Sequence, residues 1–125
     1  MPRASSGQDT GLNTNPRRYE KDNGFYSEVV ARAAGATALW TIATAPARTA
    51  GQDTTIYTLE ISNPTAAAVT GWLEIGGVAI TVPFHIATLD SITIDYVGGF
   101  NTGDADIDCN ADVNDVIFSI KGTEA

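Results

Sequence analysis

Thr54-Thr55-Ile56-Tyr57-Thr58-Leu59-Glu60-Ile61-Ser62, closed by Asn63-Pro64, is the stretch that decides the fold class. β-Branched and aromatic residues dominate it, and side chains in a strand point to opposite faces in turn. Tyr57, Leu59 and Ile61 then share one face, and Ile56, Thr58 and Glu60 the other. Asn-Pro ends such a run because proline cannot donate to a ladder and turns the chain.

The same texture continues outward in both directions. Downstream, Ala68 to Ile75 places Val69, Leu73 and Ile75 on one face. Gly76-Gly77 reads as a two-residue hairpin turn. Val78 to Phe84 then alternates as Val78, Ile80, Val82, Phe84, which predicts one strand. Leu89 to Val97 sets Ile92, Ile94 and Tyr96 against Ser91, Thr93 and Asp95, and Gly98-Gly99 and Gly103 read as turns after it. Asp104 to Cys109 alternates acid and apolar residues. Asp115 to Lys121 presents Val116, Phe118 and Ile120 on one face. Upstream, Phe25 to Arg32 reads as a first strand, Ala38 to Thr44 as a second with Leu39, Trp40 and Ile42, and 46–53 as a loop. Only the Ala-rich stretch from Val29 to Leu39 leaves room for a helical turn. About eight short strands with Gly and Pro turns predict an all-β antiparallel sandwich, the count being that of an eight-stranded jelly roll.

The domain organisation expected is an extended polar arm, residues 1–27, and a β-sandwich body, residues 28–125. The 125 residues favour one domain. Leu12 is the one large aliphatic residue of the first 24 after Met1, so the arm cannot bury enough apolar surface to fold alone. Packed on a neighbouring subunit it would be ordered, and extended it spans on the order of 80 Å. Its candidate contact residues are Leu12, Arg17, Arg18, Tyr19 and Lys21. The first residues hold no apolar stretch, so no secretory signal peptide is expected. No run approaches the length of a membrane span.

Charge separates the two parts further. Residues 1–27 carry a net +1 and the remainder a net −9. A body that acidic repels phosphate backbones, which argues against a nucleic-acid partner.

The search for chemistry yields little. His85 is the sole histidine and Cys109 the sole cysteine. One of each cannot furnish a tetrahedral zinc site. Cys109, alternating with Ala105 and Ile107, reads as a small core residue, and a disulfide within the chain is impossible. No nucleophile elbow or glycine-rich phosphate loop occurs. Neither enzymatic activity nor a cofactor is expected. The oxygen side chains of Asp104, Asp106, Asp108, Asn110, Asp112 and Asp115 mimic the spacing of an EF-hand loop. Cys109 stands where that loop needs glycine, and a strand explains the spacing more simply. Asp104, Asp106 and Asp108 would then line one face, where their repulsion calls for a cation or a basic partner. They are the weak metal candidates. Trp72, outward between Thr70 and Glu74, marks with Glu74 a candidate contact surface.

The segment Asn63-Pro64-Thr65-Ala66-Ala67-Ala68-Val69-Thr70-Gly71-Trp72, the Gly76-Gly77 hairpin, Gly103-Asp104 and the closing Val116 to Glu124 together resemble small jelly-roll proteins on the virions of tailed bacteriophages, in particular capsid decoration (cement) proteins. The likeness covers residues 54–124 and rests on turn chemistry. It implies a homotrimer on the capsid exterior, assembled in the host bacterial cytoplasm. Its partner would be the major capsid protein, clasped by the arm. Neck, tail and fibre-base proteins of similar fold share these motifs, and a carbohydrate-binding sandwich using Trp72 or Tyr96 is the reading from a different class.

Overall fold

Apolar side chains on one face of each strand have to be covered, and two sheets laid face to face do this. The computed structural model describes residues 24–32 and 35–125. Among these residues nine strands form, in chain order β1 (Gly24–Val30), β2 (Thr37–Trp40), β3 (Thr54–Ser62), β4 (Val69–Ile75), β5 (Val78–Ala79), β6 (Phe84–Ile86), β7 (Ser91–Gly103), β8 (Ile107–Ala111) and β9 (Ile117–Glu124). One sheet has the order β1-β9-β3-β7. The other is β2-β8-β4, with β5 and β6 pairing the remaining edge of β4 at its opposite ends. All pairings are antiparallel. Apart from the β4–β5–β6 run, every connection crosses to the other sheet, an interleaving consistent with the expected jelly roll. No helix occurs among the described residues, so the Ala-rich stretch does not supply one there.

The core lies between the sheets. Leu59, Ile61, Phe118 and Ile120 face Leu39, Leu73, Ile107 and Cys109, all essentially buried. Phe25 stacks on Trp40 with ring centroids 3.9 Å apart, and the Trp40 indole N–H donates to Thr54 Oγ1 at 3.1 Å. The bridging turn after β3 is organised by Asn63, 1% exposed. Its Nδ2 donates to the Ala67 and Ala87 carbonyls at 2.7 and 3.0 Å, and its Oδ1 accepts from Thr65 N and Oγ1.

Several expectations shift. β1 starts at Gly24, paired with Thr123, so residues 24–27 belong to the sheet rather than to the arm. The other arm residues lie outside the described residues. β2 ends at Trp40, and Ile42 is exposed in the turn beyond it. Tyr57 does not share a face with Leu59. It is exposed, and Ile56 is buried instead, because β3 bulges between Ile56 and Thr58 against both neighbours. The strand expected over Val78 to Phe84 is two short pieces, β5 and β6. Pro83 cannot donate to a ladder, and Thr81 turns its Oγ1 to accept from Leu73 N at 3.1 Å. Val78 and Val82 consequently stay exposed. Gly98-Gly99 is no terminal turn. It sits inside β7 in a bulge that sets Tyr96 to Gly99 opposite Tyr57 alone.

Candidate functional site

The acidic segment resolves into two unlike parts. Asp104 and Asp106 precede β8 in a loop, while Asp108 lies within the strand, so the three do not line one face. The alternation holds from Ile107, where Ile107 and Cys109 are buried. Loop 41–53 supplies what the acids need. The Arg48 side chain is only 6% exposed, and its Nη1 lies 2.6 Å from Asp104 Oδ1. Its Nε and Nη2 reach Asp106 Oδ1 at 3.1 and 3.0 Å. Backbone N–H groups complete the shell: Gly51 donates to Asp104, and Ile42 to Asp106. The hydrogen bond from Arg48, then that from Gly51, holds the Asp104 carboxyl below its ordinary range. Burial would lower the Arg48 pKa, but its two carboxylate partners more than offset this and raise it. The guanidinium therefore takes the place that the sequence left open for a cation. No group of three or more His, Cys, Asp or Glu side chains suited to a metal occurs among the described residues.

Asp108 belongs to a second constellation, on the outer face of the β2-β8-β4-β6 sheet. The register sets Trp72 opposite Asn110, Glu74 opposite Asp108, and Thr70 opposite His85. Trp72 and Glu74, paired on sequence grounds, do meet: the indole Nε1–H donates to Glu74 Oε2 at 2.7 Å. Asn110 Nδ2 donates to the same oxygen at 3.0 Å. These two donors cover a carboxylate that is 7% exposed. Among the described residues the ion pairs are those of Arg48, so Glu74 is held by neutral donors. Burial, then the charges of Asp106 and Glu74, raises the Asp108 pKa. At one end of the face, His85 Nδ1 lies 3.0 Å from Thr70 Oγ1, and Asp112 Oδ1 accepts from Thr70 N. The face is a half-buried indole ringed by polar groups. It holds hydrogen-bonding partners firmly, and sets the Thr70 hydroxyl beside the His85 imidazole. The Cys109 thiol is a poor nucleophile: burial, above all, pushes it up to about 12.

Sequence reasoning missed Arg48, Asn110 and His85 as members of these groups. The alternation of β8 put Asp108 and Asn110 on one face, a usable signal; nothing in the sequence linked that face to β6.

The arm residues Leu12, Arg17, Arg18, Tyr19 and Lys21 lie outside the described residues. What is described is the place where the arm meets the body. Among the described residues β1 is an edge strand, and beside its first residues runs a groove of about 580 Å³ lined by Tyr26, Trp40, Ala47, Thr49, Gln52 and Glu124 among others. No protein-family profile matches the chain, and no curated protein is detectably similar to it in sequence.

Proposed function

We propose that the chain is a structural protein of a virion, a decoration protein bound to the outside of a bacteriophage capsid. The observation that carries this reading is the position of β1. The polar, net-positive arm joins the acidic body at an edge strand, at the end of the sandwich beside a groove. An edge strand leaves backbone N–H and C=O groups free to pair with another chain, and an arm leading from it can run on along a neighbour. The body's charge keeps it soluble and off nucleic acid, while Arg17, Arg18 and Lys21 suit an acidic patch of a coat subunit. Exposed ion pairs contribute little singly, so the arm works through many contacts along its length. Binding only the assembled shell stabilises that shell by mass action.

The test is co-sedimentation with purified capsids, comparing the full chain with Arg17→Glu/Arg18→Glu and with a chain lacking residues 1–23, which leaves β1 whole. Capsid binding is expected to fall away in both while the melting of the body is unchanged. Full occupancy by the truncated chain would sink the arm's role. Copy number per particle separates the shell from a neck, tail or fibre base: hundreds mean decoration, a dozen or fewer mean the tail. The Trp72 face supports a second reading, glycan binding, because an indole flanked by Glu74, Asn110 and Asp108 offers both stacking and hydroxyl partners. Titration of the isolated protein against a glycan panel, with Trp72→Ala as control, decides it.

A further inference from the structure

Loop 41–53, which joins β2 to β3, has no apolar anchor. Ile42 is 56% exposed, Ala45, Pro46 and Ala47 are exposed, and no residue of the loop belongs to the hydrophobic core. Its two buried residues, Thr41 and Arg48, are polar. Polar contacts must hold it, and they follow one pattern. From Ile42 to Gln52, every hydrogen bond to another described part of the body ends on a carboxylate. Ile42 N donates to Asp106 at 3.2 Å and Gly51 N to Asp104 at 3.1 Å. Arg48 donates to both, at 2.6 Å to Asp104 and 3.1 Å to Asp106. Thr49 gives its N–H to Glu124 Oε2 at 2.7 Å and its hydroxyl to Oε1 at 3.0 Å. The loop's other hydrogen bonds are internal, such as Arg48 N to the Thr41 carbonyl at 2.8 Å, until Asp53 pairs its backbone with Ala125.

We propose that loop 41–53 is a strap latched by the carboxylates of Asp104, Asp106 and Glu124, and that it opens as a unit while the sandwich stays folded. A segment with few buried apolar contacts and solvent-accessible hydrogen bonds sits at the low end of local stability. Opening strands no charge, because each group returns to water. The Asp104 and Asp106 side chains are already 48% and 46% exposed, and Arg48 carries its guanidinium out with the strap. Glu124 clasps Thr49 independently of Arg48, so the latch has two halves. The strap also builds the groove at the root of the arm. Pro46, Ala47 and Thr49 line it together with Gly24, Phe25 and Trp40. Release takes that lining away and opens the Phe25–Trp40 stack to solvent. Charge on three carboxylates is thereby coupled to access at the point where the arm joins the body. The inference does not rest on the capsid reading.

Trypsin reads the latch directly, because Arg48 is itself a cleavage site and must leave its carboxylates to enter the protease. The rate of cutting between Arg48 and Thr49 in the full chain, followed by mass spectrometry, reports the population of the open strap. Asp104→Ala with Asp106→Ala, and separately Glu124→Ala, should each speed that cut by roughly tenfold or more. Near-UV circular dichroism checks that each variant keeps its fold. If the double variant fails that check, Glu124→Ala carries the test. A core substitution separates opening of the strap from unfolding of the whole body. Leu73→Ala, at a fully buried position away from the strap, weakens the global fold and should leave the cut at the wild-type rate. Ile120→Val is the milder core variant if Leu73→Ala does not fold. Cutting at the wild-type rate in both latch variants overturns the proposal. So does a rate that rises with the core substitution, since global unfolding would then be the route.

Discussion

Replacing Arg48 with methionine keeps the bulk of a side chain that is 6% exposed and removes its charge. Two hydrogen bonds, at 2.6 Å to Asp104 and 3.1 Å to Asp106, disappear with a further 3.0 Å ion-pair contact to Asp106. Removing one member of a fully buried pair costs about 3–5 kcal/mol, because the other charge is stranded. Here the carboxylates are 48% and 46% exposed, so water takes up their lone pairs again. Screening reduces the loss further. The net cost expected is about 2 kcal/mol, which for a domain of this size lowers Tm by roughly 10 °C. The pH dependence carries a second signature. The folded-state pKa of Asp104 is depressed by Arg48. That contribution is complete above the unfolded carboxylate value, about 3.9, and is lost as pH falls through the lower folded value. Urea midpoints of the two proteins should therefore differ at pH 7 and converge below about pH 4. Calcium tests the same cluster: it should leave the wild-type melt unmoved, since the guanidinium already occupies the site. Equal midpoints at pH 7, or a gap that does not narrow in acid, would refute the idea that Arg48 is the counter-charge holding loop 41–53 to loop 104–106.

Two further substitutions probe separate parts of the body. Asn63→Asp replaces a donor by a carboxylate facing the Ala67 and Ala87 carbonyls, in a site 1% exposed, and should cost at least about 3 kcal/mol in the urea midpoint at pH 7. Asp108→Asn should do the opposite. The folded pKa of Asp108 is raised, so its ionised form destabilises the fold at neutral pH and that penalty vanishes below its unfolded value. The gain should be present at pH 7, small because solvent screens the site, and absent at pH 3, read from thermal melts.

The strands that the sequence made legible are those whose alternation is uninterrupted. Val69, Leu73 and Ile75, or Val116, Phe118 and Ile120, can be read because nothing shifts their phase. The failures share one cause: a strand's period is local, but its phase is set by the neighbours. Ile56-Tyr57-Thr58 looks like unbroken alternation, yet the bulge at Tyr57 buries Ile56 and Leu59 together. That bulge depends on both flanking strands. A Cβ at Gly122 of β9 would lie 2.0 Å from the Thr55 carbonyl oxygen, and one at Gly99 of β7 would strike the Thr55 methyl. Two glycines, one on each side of β3, make the space in which it bulges, and they are separated in sequence from the residues they accommodate. Gly98-Gly99 therefore looks like an end to β7 when it is the device by which β7 continues.

The candidate sites follow the same logic with charge in place of phase. Carboxylates in a row are conspicuous in sequence, and their mutual repulsion correctly demands a partner. The partner is not conspicuous, because Arg48 lies 56 residues from Asp104 in a loop without periodicity. The acidic run thus advertises a ligand that the fold itself supplies. The Trp72 pair behaves differently. Trp72 and Glu74 are two residues apart on one strand, so a single period places them together, and only Asn110 across the ladder had to come from elsewhere. The least legible feature is the β7 edge. Val82 reads as core in an alternating strand, and Val97 as the last residue before a turn. Pro83 and the two left-handed glycines instead leave both valines exposed, Val82 on the lining of an open cleft.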